Sequence, residues 1–232
     1  MSKKISQSQI DLLRKKYFND NHVKVVRNAM VKTNSNELSM DWEKYRKIDH
    51  TFSNVISGEM PATNQKSSGR CWGFAGLNLF RVYLGRKHNL KDFQFSQSYF
   101  MFWDKLEKSN YFLESILSTA EEDFDSRIVM HLLQTPTEDG GQWDMWKNLI
   151  KKYGVIPQAE MSESFSSSQS AEMNKMLARK LRENAHNLRK EFSKGASSET
   201  LNELKNSMIE EIFKMLSMPV SYTHLTLPTT PY

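Results

Sequence analysis

The stretch Asn64-Gln65-Lys66-Ser67-Ser68-Gly69-Arg70-Cys71-Trp72-Gly73-Phe74-Ala75 is where a polar, glycine-containing loop gives way to an apolar run. Cys71 stands at the junction and is the only cysteine in 232 residues. From Trp72 to Leu84 the run includes Phe74, Leu77, Leu79, Phe80, Val82 and Tyr83 without a proline, which predicts a helix buried on most of its faces. Ser67 or Ser68 is placed to cap its start. Cys71 then falls in the first turn, where unpaired N–H groups and the positive end of the helix dipole favour an anion, with Arg70 adjoining. A thiol so placed should ionise more easily than a free cysteine, and the thiolate is the nucleophile.

A thiolate that attacks a carbonyl needs donors for the oxyanion that forms. The Cys71 N–H supplies one. Gln65, six residues earlier across a Ser-Ser-Gly turn, is placed to fold its side-chain amide back to the same point as the second. A lone Cys-Trp pair would read more simply as a small buried core residue. The whole string reads differently: Gln, five residues, Cys, Trp, any residue, Phe, Ala resembles the active-site segment of papain-like cysteine peptidases. Gln65-Lys66-Ser67-Ser68-Gly69-Arg70-Cys71-Trp72 is similar to their bleomycin hydrolase/aminopeptidase C branch. A second string, Phe95-Ser96-Gln97-Ser98-Tyr99-Phe100-Met101-Phe102-Trp103-Asp104-Lys105-Leu106-Glu107-Lys108, is similar to a structural signature of the same branch.

The resemblance implies an α+β papain-like fold. The residues present would form mainly its α-helical left lobe, with an N-terminal arm (1–50), the helical lobe bearing the nucleophile (51–160) and a helical insertion (161–219). The β-rich lobe would be missing. It also implies that Gly140 and Gly141 match the Gly-Gly that hydrogen-bonds the substrate backbone, with Gly141 offering its N–H and C=O. Read without the family, Thr135 to Trp143 is a loop whose paired glycines permit positive φ and close approach of another backbone.

The remaining elements follow from periodicity and caps. Ser6 or Ser8 is placed to cap a helix through Ile10, Leu12, Leu13, Tyr17 and Phe18, ended by Asn19-Asp20-Asn21; Val23–Val26 reads as either a strand or the next helix. Asp41 to His50 reads as a polar surface loop, and Gly85-Arg86-Lys87-His88-Asn89 as a break after the Cys helix. Ser96-Gln97-Ser98 opens an aromatic-striped core helix, and Ile128 to Leu133 continues the helical pattern with His131 packed or capping. A third helix over Trp143–Tyr153 stops at Gly154, with Pro157 beyond. Met161 to Gln169 reads as a Ser-rich connector. Beyond it come two amphipathic helices, Met176, Leu177, Leu181, Leu188 and Phe192 on the first, with Gly195 between them and Ser198 capping the second.

Composition narrows the class. Charged residues at 25% and hydrophobic ones at 38% suit a globular chain. One Cys and 13 Met argue against a disulfide framework, and no membrane span, signal peptide, metal site or cofactor is expected, which fits a cytoplasmic protein. A net charge of +5 permits but does not demand anionic partners. The function expected is a cysteine aminopeptidase acting on peptides through a Cys71 thioester, hexameric by resemblance. The alternative is a non-catalytic peptide- or nucleic-acid-binding protein on the same scaffold.

The catalytic His and Asn are expected beyond residue 232, so the chain itself should be inactive. His224 lies 224 − 71 = 153 residues after the Cys, close to the papain spacing of roughly 130–150. It sits, however, in the uncharged stretch 220–232, which resembles translated adapter sequence and is expected to be non-native.

Overall fold

Short polar side chains set most of the helix starts. The computed structural model describes residues 4–56 and 60–220; His224 and nearly all of the stretch 220–232 lie outside them. Within the unit Met1–Val55, α1 (Gln7–Asn19) begins at Ser6. The Ser6 hydroxyl accepts from the Gln9 N–H while the Gln9 amide takes the Ser6 N–H, a reciprocal box. Asp20 ends α1 and caps α2 (Asn21–Met30), so Val23–Val26 is helical. After α3 (Ser35–Leu38), the expected polar loop from Asp41 instead carries a short helix, α4 (Trp42–Arg46), capped by Asp41. None of α1 to α4 has a buried residue, and Leu12, Leu13, Phe18, Val25, Val26 and Trp42 are all exposed.

The second unit runs from Ile56 and is built on α6 (Gln97–Ser118), capped by Ser96, whose Oγ accepts from the Tyr99 N–H at 3.0 Å. The aromatic stripe foreseen there is core: Phe100, Phe102, Trp103, Phe112, Leu113 and Ile116 are buried. Around α6 pack α5 (Cys71–His88), α7 (Arg127–Gln134), α8 (Trp143–Tyr153), α10 (Ala171–Ser193) and α11 (Ser198–Ser217). Phe102 meets Phe213 edge to face at 5.2 Å, and Trp103 stacks on Tyr153 at 4.0 Å. Leu177, Leu181 and Leu188 of α10 and Ile212 and Leu216 of α11 complete one core with α6. The two late helices are thus packed on the lobe that bears the thiol. Arg182 caps the last carbonyls of α7, and Arg189 donates to Thr119 O beyond α6, where a cation meets the negative helix end.

Several local expectations give way to tertiary packing. Helix α5 runs through Gly85 to His88 and turns only at Asn89, in the left-handed region; Gly85 is no break but the place where the Met60 methyl packs in the space a side chain would fill. Ser197, not Ser198, caps α11. Met176 is exposed, and His131 is exposed in a groove between α7 and α10 rather than packed or capping. The Ser-rich stretch carries a short helix, α9 (Phe165–Ser168), and hydrogen-bonds to the loop before Cys71. Among the described residues there is no strand, only isolated bridges at Ser67–Gln169 and Phe95–Pro157.

Candidate active site

Cys71 is the first residue of α5, and its thiol is exposed. Arg70 occupies the N-cap position without a side-chain cap bond, so neither Ser67 nor Ser68 caps the helix. The first N–H groups of α5, that of Cys71 included, are therefore left available to a ligand. The Ser68 hydroxyl is turned inward to the Gln65 carbonyl at 2.6 Å. Lys66 takes a positive φ of 55°, with its N–H bonded to Asn64 Oδ1, which reverses the chain between Gln65 and Ser67. The Gln65 side-chain amide makes no hydrogen bond among the described residues, while its carbonyl is held by Ser68 and by Arg70.

Arg70 does not stand as a free cation beside the thiol. It is 4% exposed, and its guanidinium forms a two-pronged bridge to Glu163, Nη1–Oε1 at 2.8 Å and Nη2–Oε2 at 2.9 Å. Its Nε donates to Ser68 Oγ at 2.8 Å. Burial would raise the Glu163 carboxyl, but hydrogen bonds from Arg70 and Ser167 outweigh it and hold the group below its ordinary value.

The Gly140–Gly141 loop reaches the same place. Gly140 has φ 89°, and its N–H donates to Gly69 O at 3.3 Å. Gly141 lies against the Trp72 ring so closely that a Cβ there would come within 2.7 Å of it. The N–H and C=O of Gly141 have no hydrogen-bond partner among the described residues. The residues flanking Cys71 therefore touch both sides of this loop, and a chain lying along it would find a free donor and acceptor.

Side chains that sequence reasoning passed over hold the loop down. Lys108 donates to Asp104 at 2.9 Å, to Glu138 O at 2.9 Å and to Gly140 O at 2.7 Å, and its ammonium lies 5.1 Å from the Trp72 ring centroid. Lys105, almost fully buried, pairs with Asp139 at 2.8 Å. Burial pushes Asp104 up and Lys108 down, each partly offset by the other's charge. The signal in the sequence was Asp104, Lys105 and Lys108, charges set close behind the aromatic run Tyr99–Trp103 of a core helix. Glu163 had no such signal.

Among the described residues no histidine is hydrogen-bonded to Cys71, and no group of three or more His, Cys, Asp or Glu could hold a metal ion. No helix among them is long and apolar enough to cross a membrane.

Residues 4–226 match the profile of the Peptidase C1-like family. The chain is 49% identical over 171 residues to "Aminopeptidase C" of Listeria monocytogenes, which covers 74% of this chain and 38% of that protein. It is 45% identical over 170 residues to "Bleomycin hydrolase" of Oryctolagus cuniculus, covering 72% and 61%. The crystal structure of pepw from Lactobacillus rhamnosis superposes with a TM-score of 0.90 at 39% identity, covering 95% of this chain and 49% of that one. The chain spans about half the length of the curated relatives it matches.

Proposed function

Because the chain belongs to the Peptidase C1-like family, we propose that it carries the thiol-bearing lobe of a cysteine aminopeptidase acting on peptides in the cytoplasm. The observation that carries this reading is an exposed thiol at a helix N-terminus, flanked on both sides by contacts to the Gly140–Gly141 loop. In the mechanism, Cys71 Sγ attacks the scissile carbonyl carbon, and the carbonyl oxygen takes the electron pair. The Cys71 N–H and the Gln65 amide hold that oxyanion, its collapse expels the amine, and the resulting thioester is hydrolysed by water. Gly141 offers its N–H and C=O to the substrate backbone. The family reading assigns proton transfer to a His, oriented by an Asn, outside the described residues. Peptidase relatives named for aminopeptidase and bleomycin hydrolase activity support the reaction class.

Two further parts of the reading concern surfaces. The outer face of α5 leaves Leu79, Phe80 and Tyr83 exposed, in line with Cys71 and Ala75, as a seat for the β-rich lobe. The unit Met1–Val55, in which none of the described residues is buried, supports packing of this arm against further copies in a homo-oligomer, hexameric by family resemblance.

The test is hydrolysis of aminoacyl-coumarin amides by the full-length gene product. Cys71→Ala should abolish turnover. Gln65→Ala should lower kcat by about a hundredfold or more with little change in KM, as expected for a donor acting on the transition state. Turnover that survives Cys71→Ala would remove the thioester mechanism.

A further inference from the structure

The loop that carries the thiol is short, polar and rich in backbone groups that need partners, and the residues that satisfy it lie far along the chain. Arg70, 93 residues from Glu163 in sequence, is buried with all three guanidinium nitrogens donating: two bonds to that carboxylate, one to Ser68 Oγ and one to Gln65 O. The Glu163 carboxylate in turn accepts from Ser167 Oγ at 2.7 Å and from Ser168 Oγ at 3.3 Å. Backbone bonds run alongside: Ser67 N–H to Ser168 O at 3.0 Å, and Ser170 N–H to Ser67 O at 3.3 Å. Ser67 is thereby paired on both its N–H and its C=O with the stretch 168–170. From the other side, Asp139 is packed where Gly69 has no side chain, and Gly140 N–H holds Gly69 O.

The consequence is geometric. The Gln65 carbonyl and the Ser68 and Arg70 side chains form one hydrogen-bonded knot, and Cys71 follows directly upon it. The knot closes only if Arg70 is held in place, because a buried guanidinium without a counter-charge would turn outward to water. We propose that Glu163 is a positioning residue for the nucleophile: through Arg70 it sets the backbone from Gln65 to Cys71, and so the place of the Gln65 amide relative to Cys71 Sγ. Glu163 touches no reacting atom. This rests on the cysteine peptidase reading for its catalytic readout and on the hydrogen-bond geometry for its structural one. The Ser-rich segment is therefore a clamp on the site, with Ser167 and Ser168 orienting the carboxylate that orients the arginine.

The test has two arms. In the full-length gene product, Glu163→Gln should lower kcat by about tenfold or more with KM within about twofold, since small misplacements of reacting groups carry such factors. Glu163→Asp should restore much of that loss. Arg70→Gln should match Glu163→Gln, and the double variant should be no worse than either single one, as expected of groups acting as one unit. In the 232-residue chain, amide exchange at Ser67 and Ser170 should quicken in Glu163→Gln while that of α6 and α10 is unchanged.

A kcat within twofold of wild type with the fold intact would overturn the proposal. So would a loss that follows a chain-wide fall in exchange protection and is not restored by Glu163→Asp. If Glu163→Gln does not fold, Ser167→Ala, which removes a donor that orients the carboxylate, faces the same kcat and KM criterion. If the wild type shows no Cys71-dependent turnover, the peptidase reading fails and exchange alone decides: quickening confined to the clamp sustains it, and none, or a uniform one, overturns it.

Discussion

Helices α5 and α6 are both apolar over much of their length, yet they end in opposite circumstances. Helix α6 is surrounded by α5, α7, α8, α10 and α11, and Leu113 and Ile116 are completely shielded from water. Helix α5 buries Leu77 in that core and Phe74 under the Arg70 guanidinium, but leaves Leu79 58% and Tyr83 67% exposed. The difference teaches that an apolar run states a need for partners and not where they are. Periodicity read α5 as buried on most faces, and among the described residues one face is. The same lesson holds for the unit Met1–Val55, whose amphipathic helices bury nothing.

The comparison breaks or sharpens most strongly at the two faces. Leu113→Ala in α6 should cost about 2–5 kcal/mol of unfolding free energy, because a fully enclosed side chain leaves a cavity. Leu79→Ala in α5 should stay within about 0.5 kcal/mol, as for an exposed position. Urea unfolding of the 232-residue chain measures both. Similar losses for the two would mean that the outer face of α5 is covered in solution, and the contrast would fall.

A smaller effect separates the charges that tie down the two helices. Glu163 has a folded pKa below its unfolded one, so its contribution is present above the unfolded value and is lost as pH falls through the folded one. Asp104, raised by burial, binds its proton more tightly in the folded state, so its contribution to stability grows as pH falls. Stability measured from pH 6 down to about 3 should therefore decline less steeply in Glu163→Gln and more steeply in Asp104→Asn than in the wild type. Parallel acid limbs for all three chains would show that neither carboxyl is perturbed as its surroundings require.

Smallest of all is the expected effect of Cys71→Ser on folding. An exposed thiol without a hydrogen bond contributes little packing, so stability should change by less than about 0.5 kcal/mol. Thermal unfolding checks it, and a loss above about 1 kcal/mol would mark Cys71 as part of the core after all.

Much of the helical framework was legible locally. The Ser6 and Ser96 caps, the start of α6 and the span Trp143–Tyr153 with its Gly154 stop all lie where turn and cap chemistry put them. Each depends on a hydrogen bond or backbone angle within four residues, so no distant contact was needed to read it. The errors have the opposite character. Gly85 reads as a break until Met60 is seen over it, and Ser68 reads as a cap until its hydroxyl is found bonded to Gln65 O.

By itself, the sequence determined that the lone cysteine would lie in the first turn of α5, that α6 would be core and that Gly140 and Gly141 would form a turn able to admit a close neighbour. These follow from side-chain size, polarity and backbone freedom, which travel with the residue. Only the tertiary structure decided that the turn comes to rest on Trp72 and Gly69, and that the Ser-rich stretch clamps the thiol loop. It also decided that Arg70 spends its charge on Glu163 and that Lys105 and Lys108 anchor the loop at 138–140. An ion pair between residues 93 apart has no local signature. Its energy depends on burial and on the meeting of two side chains, and both are properties of the folded path rather than of either residue.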